Sequence, residues 1–151
     1  MKVVWDADVV LDVLLAREPQ VIGAARLMAM VERGELGGYL CDTTVLVLYA
    51  VARRLVGEER ADRELRKLLL LFDVAAVNRV VLESALINKA LQFQHAVLYE
   101  AARHLGAEAV VTRSFPAFRG AQLPVATPEK LLKMLSQRGR RHAEAWSQPG
   151  R

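Results

Sequence analysis

The stretch "VVWDADVVLDVLLAREP", residues 3–19, joins an apolar run to a helical pattern through two closely spaced carboxylates. Val3, Val4 and Trp5 are β-branched or aromatic, and Asp6 ends them. The apolar positions Val9, Val10, Val13 and Leu14 then recur at helical spacing before Pro19. The segment therefore reads as strand, acidic turn and helix. Acids at such a junction either cap the helix or begin a site for a metal or a phosphoryl group. Asp8 is expected to be the N-cap of the helix, because its side chain can accept from free first-turn N–H groups. Asp12, one turn further, is expected to be solvated or to act as a supporting acceptor.

The same alternation continues outward. Ala24, Ala25, Leu27, Met28 and Val31 extend a second helical pattern that Gly34 and Gly37–Gly38 close, and "GGYLC" (residues 37–41) reads as the second strand. Thr43 or Thr44 can cap a third helix with the inward stripe Val45, Leu48, Tyr49, Ala52 and Leu55, ended by Gly57. A further amphipathic helix is expected over 60–71, a strand at "FDVAAV" (72–77), and a helix capped by Asn78 and running to Ala90. A helix carrying Phe93, Ala96, Val97, Ala101 and Leu105 stops at Gly106. The strand "AEAVVT" (107–112) follows, and Thr127–Pro128 opens a last helix to about Gln137. Strands alternating with helices imply an α/β three-layer sandwich with a mainly parallel sheet of four or five strands. Its ligand site is expected at the carboxyl ends of the strands. Asp6 sits at such an end, and so does "TRS" (112–114).

The 151 residues, 53% hydrophobic and 25% charged, suit one domain with a sizeable core. That domain is expected over 1–137, with "RGRRHAEAWSQPGR" (138–151) as a basic, flexible tail lacking the apolar periodicity to pack. The longest apolar runs, such as "LLLLF" at 68–72, are far shorter than the roughly 20 residues of a membrane span, so no membrane partner is expected. Cys41 is the only cysteine, which excludes an intrachain disulfide and suits a cytoplasmic setting. A net charge of +4 permits a nucleic-acid partner without demanding one.

Four segments in order carry a resemblance: "VVWDADVVLDVLL", "CDTTVLVLYAV", "FQHAVLYEAARHLGAEAVVTRSFPAF" and "LPVATPEKLL". Together they resemble a PIN domain, the fold of VapC-type toxin ribonucleases, from Met1 to about Leu135. The resemblance implies a metal-dependent endoribonuclease in which three or four carboxylates hold Mg²⁺ or Mn²⁺ and the metal activates water against an RNA phosphodiester. It further implies RNA as substrate, an antitoxin-like protein as partner, and a homodimer.

Carried over position by position, Asp6 matches the first catalytic acid and Asp8 follows it. The second acidic position falls at Val47 if Thr44 is the family's threonine; the third falls at His95 and the fourth at Ser114. Val47 cannot bind a cation, Ser114 is a weak neutral ligand, and His95 suits Mn²⁺ or Zn²⁺ better than Mg²⁺. The expected site is thus a depleted one. Asp6 and His95 are the candidate catalytic residues, Asp6 and Asp8 the candidate metal ligands, and Thr44, Arg113 and Ser114 the candidate RNA contacts. Glu100 is five residues beyond His95 and is expected at the surface or in an ion pair.

Two other readings compete. "DADVV" also fits the Asp-x-Asp opening of the haloacid dehalogenase-like phosphatases, but no late acidic pair follows the fourth strand. The other rival keeps the PIN fold without the chemistry, as a silent module binding RNA or a protein partner.

Overall fold

The computed structural model describes residues 1–147. Its elements are β1 (Lys2–Trp5), α1 (Ala7–Leu14), α2 (Gln20–Glu32), β2 (Gly37–Cys41), α3 (Asp42–Val56), α4 (Glu58–Leu71) and β3 (Asp73–Ala75). There follow α5 (Arg79–Ile87), α6 (Phe93–Leu105), β4 (Ala109–Val111), a 3-10 turn (Phe115–Phe118), β5 (Val125–Ala126) and α7 (Pro128–Ser147). The five strands lie in the order β3-β2-β1-β4-β5, and every pairing is parallel. β1 is central, paired to β2 on one side and β4 on the other. The chain moves outward in opposite directions from these two neighbours, so the strand order reverses between β1 and β4. In an open α/β sheet a ligand crevice forms at that reversal.

A parallel sheet must be covered on both faces, and β1 shows it: Val3, Val4 and Trp5 are all fully buried. Val3 and Trp5 join Leu40, Ala109 and Val111 in a core with Val9, Val10, Leu27, Leu48, Leu68 and Leu131 from α1, α2, α3, α4 and α7. Val4 faces the opposite way, with Cys41, Ala75 and Val110, against Val81 and Ala85 of α5 and Ala96, Val97 and Ala101 of α6. The fold is the three-layer α/β sandwich that the alternation predicts, with five strands. Trp5 fills the first core edge-to-face against Phe72, ring centroids 5.1 Å apart. That packing is tight enough to exclude a side chain at position 38, where a Cβ would lie 2.7 Å from the Phe72 ring and 2.8 Å from Val31.

Three local expectations are corrected. The N-cap of α1 is Asp6, not Asp8, which lies inside the first turn. α3 starts at Asp42 after Cys41 in extended conformation, so neither Thr43 nor Thr44 caps it; the Asp42 carboxylate accepts from the Thr43 and Val77 amides instead. α5 ends at Ile87 rather than Ala90. Asn78 and Thr127 do accept from the first-turn amides of Val81 and Lys130, as their sequence context predicts. The last helix runs on from Gln137 to Ser147, and the rest of the 138–151 segment lies outside the described residues. Among the described residues no helix is long and apolar enough to cross a membrane.

Candidate functional site

Asp6 is fixed where β1 ends. Its amide donates to the Val111 carbonyl at 2.9 Å, which aligns the ends of β1 and β4. One carboxylate oxygen then accepts from the Ala7 amide at 2.7 Å as the helix cap, and the other accepts from the Thr112 hydroxyl at 2.7 Å. Thr112 is fully buried, and its Oγ1 also accepts the Ser114 amide at 3.0 Å.

The remaining acids of α1 face the same three residues. Asp8 accepts from the Arg113 amide at 3.2 Å and from the Ser114 hydroxyl at 3.3 Å. Asp12 is wholly buried, with the Arg113 Nε 2.9 Å from one carboxylate oxygen and an Arg17 guanidinium nitrogen 3.7 Å from the other. Asp12 is therefore the supporting acceptor and not the solvated acid, and its partner is the arginine that the sequence offers for phosphate. "TRS" and "DADVVLD" close on each other as one polar seam, residue against residue.

Beside the seam lies a cavity of about 500 Å³ lined by Asp6, Thr43, Thr44, Val47, Leu82, Phe93 and His95, among others. It opens at the carboxyl ends of β1 and β2 and the start of α6, where the sequence places the site. His95 Nδ1 is buried without a hydrogen-bond partner, and its ring stands edge-to-face on Phe118 at 5.1 Å. The wall is more apolar than a phosphodiester-cutting cleft requires. Val47 is 50% exposed, Leu82 38% and Phe93 51%. Asp6, Thr44 and His95 thus share one cavity, whereas Asp8, Arg113 and Ser114 belong to the adjoining seam. Glu100 is buried rather than superficial but does form the expected ion pair, with Arg103 at 3.2 Å, and also accepts from Asn88, away from the cavity. The sequence places Thr112 at the strand end but assigns it no role, although among the described residues it is the only side chain that donates directly to Asp6; a threonine after a buried strand gives no signal of that bond.

Burial raises the Asp6 pKa above the ordinary carboxylate value, and the like charge of Asp8 adds to it. The Thr112 and Ala7 hydrogen bonds and His95 pull the other way without cancelling the rise. Asp12 is raised for the same first reason, burial, against Arg113 and Arg17. A folded-state pKa above the unfolded one means the native state binds protons more tightly, so ionising Asp6 costs stability as pH rises through that window and throughout neutral pH. An Asp6→Asn protein escapes this cost, and the amide can keep both contacts, accepting from Ala7 and donating to Thr112 Oγ1. Its melting temperature at pH 7 should exceed wild type by roughly a few degrees, with the gap closing toward pH 4. Thermal unfolding across that range measures it; a variant less stable at pH 7 would show that the Asp6 charge is on balance stabilising.

PIN-domain nucleases generally use divalent metal ions, which take oxygen ligands from several carboxylates. This donor set does not fit one. Among the described residues no group of three or more His, Cys, Asp or Glu side chains is placed to hold a metal ion. Both oxygens of Asp6 accept hydrogen bonds from the protein, and those of Asp8 are turned onto Arg113 and Ser114.

The fold agrees with what known proteins show. A PIN domain profile matches residues 2–115, and the chain belongs to the PIN domain family. Among solved structures it is similar to a toxin–antitoxin complex from Klebsiella pneumoniae, at 19% identity and TM-score 0.66 over 83% of this chain and 97% of that one. FitAcB from Neisseria gonorrhoeae is similar at 17% identity and TM-score 0.66, covering 83% of this chain and 97% of that one. VapC20 of Mycobacterium tuberculosis, a sarcin-ricin loop cleaving toxin, is similar at 16% identity and TM-score 0.57, over 72% of this chain and 86% of that one. No curated protein matches the sequence.

Proposed function

We propose that this chain is a PIN domain of the VapC toxin type whose metal-dependent ribonuclease activity is weak. The observation that carries this reading is the donor set around Asp6: the positions that the family resemblance gives to the other ligands hold Val47, His95 and Ser114, and the Asp6 and Asp8 carboxylates already accept internal hydrogen bonds. Among the described residues Mg²⁺ or Mn²⁺ would find Asp6 as the one carboxylate lining the cavity and Asp8 in the seam beside it, too few to offset its dehydration. In this reading His95 is the one cavity side chain besides Asp6 able to take or give a proton. Thr44 is buried in the cavity wall and would meet the RNA backbone only from within the cavity, Ser114 holds Asp8, and Arg113 keeps its terminal amines for a phosphate while its Nε secures Asp12.

The apolar rim supports a second reading, a catalytically silent module that engages RNA or an antitoxin-like protein. Exposed Val47, Leu82 and Phe93 suit a partner's apolar side chains better than a hydrated phosphodiester. The solved relatives include toxin–antitoxin complexes. Cleavage of single-stranded RNA in Mg²⁺ and in Mn²⁺, beside a PIN nuclease with all its acids, separates the readings. Slow cleavage favouring Mn²⁺ and lost in Asp6→Asn is the expected result, and none in either metal selects the silent module. Robust Mg²⁺-dependent cleavage that Asp6→Asn abolishes would overturn both.

A further inference from the structure

The net positive charge of this protein is not spread over it. Between residues 113 and 151 eight Lys and Arg face two Glu, whereas residues 1–112 carry more acids than bases. The fold gathers part of that excess along a groove of about 960 Å³ between α2 and α7, where Arg26, Lys133 and Arg140 stand against the single acid Glu129. None of the three cations has a side-chain partner among the described residues. The other basic stripe, on α4, differs in kind: Arg60, Arg63, Arg66 and Lys67 are interleaved with Glu58, Glu59, Asp62 and Glu64, and Lys67 is paired to Glu64.

Two further features aim the groove at a large polyanion. α7 is exposed on every side from Ser136 to Glu144, so this part of the helix gains little from packing, yet it carries Arg138, Arg140 and Arg141. Among these Arg138 is engaged with Glu108 at 2.9 Å. At its other end α7 begins beside the candidate site: Lys130 stands over the ring of Phe115, next in sequence to Ser114, at 4.8 Å. Cations therefore descend α7 from the strand ends along about two helical turns and on into the exposed extension. Lys133 and Arg140 are seven residues apart on α7, about 10 Å along its axis, so successive phosphates of a chain match them better than one compact anion does.

We propose that the α2–α7 groove binds the phosphodiester backbone of a nucleic acid, by charge and without base readout. This does not depend on cleavage at Asp6. The test is fluorescence anisotropy of the full chain with a labelled single-stranded RNA, DNA of the same sequence, and duplex DNA, at several salt concentrations. An Arg26→Ala/Lys133→Ala/Arg140→Ala protein should bind on the order of 10- to 100-fold more weakly at low salt, and the slope of log affinity against log salt should fall by roughly 2 to 3. An Arg60→Ala/Arg63→Ala/Arg66→Ala protein should bind nearly as wild type, and so should Asp6→Asn. The three substituted groove residues are exposed, and matching circular dichroism and melting curves would confirm that both triple variants are folded. Equal losses in the two triple variants would reduce the effect to overall charge and overturn the proposal. Loss confined to Asp6→Asn would move the nucleic acid into the cavity and overturn it too, as would tighter binding to vesicles of acidic lipid than to any nucleic acid.

Discussion

A Val47→Glu/His95→Asp/Ser114→Asp protein should bind Mn²⁺ and Mg²⁺ at least about a hundredfold more tightly than wild type, a gain of about 2.7 kcal/mol. The positions lie where the cavity and the seam meet, on α3, α6 and the end of β4, around Asp6. Two unit charges about 4 Å apart attract by about 4 kcal/mol at an effective dielectric constant near 20, so three added carboxylates leave a large surplus after dehydration of the ion. The same charges should harm the protein without metal. Asp at 114 removes the hydroxyl that donates to Asp8 and sets a carboxylate against it. The variant should therefore melt below wild type in chelator and recover in Mn²⁺, as a ligand that binds only the native state requires. Calorimetric titration and melting curves measure both halves. A variant that folds but binds neither metal would mean that these positions do not converge on Asp6.

Truncating Arg113 should be the most damaging single change at the seam. Asp12 is wholly buried, and Arg113→Ala leaves it with only Arg17, 3.7 Å away. Breaking a buried pair from one side costs about 3–5 kcal/mol; because the Arg113 side chain is 38% exposed, roughly 2–3 kcal/mol is expected here. Asp12→Asn should rescue most of that loss, since a neutral amide does not need the guanidinium. A double-mutant cycle by urea unfolding gives the coupling directly. Equal losses in Arg113→Ala alone and combined with Asp12→Asn would show that Arg113 acts through packing and not charge.

What the sequence discloses here is whatever depends on neighbours along the chain. The β-branched run ending at Asp6, the caps Asn78 and Thr127, and the glycine that stops α6 at Gly106 in a left-handed conformation are local devices and were readable. Contacts across the fold were not. Asp8 has a good N-cap context, yet its carboxylate is drawn to residues 105 and 106 positions away, leaving the cap to Asp6. The end of α7 illustrates the opposite error: apolar periodicity reports burial, so its absence after Gln137 ends the packing but not the helix, which Arg, Ala and Glu sustain by propensity. That Asp6, Thr44 and His95 would meet around one cavity at the strand ends was legible. The exposure of Val47 and the burial of Asp12 were not, because facing is decided by helices distant in sequence.

The Asp6–Thr112 bond spans 106 residues and lies at the middle of the sheet. At about 5–20 residues per second of synthesis, β4 emerges roughly 5–20 seconds after β1, and until then β1 has a bare edge and three aspartates lack their partners at residues 112–114. The seam is consequently among the last contacts a nascent chain can make. Whatever this PIN domain does at Asp6, it gains the ability late, when nearly all of the sheet has been translated, and a fragment ending before Thr112 lacks it altogether.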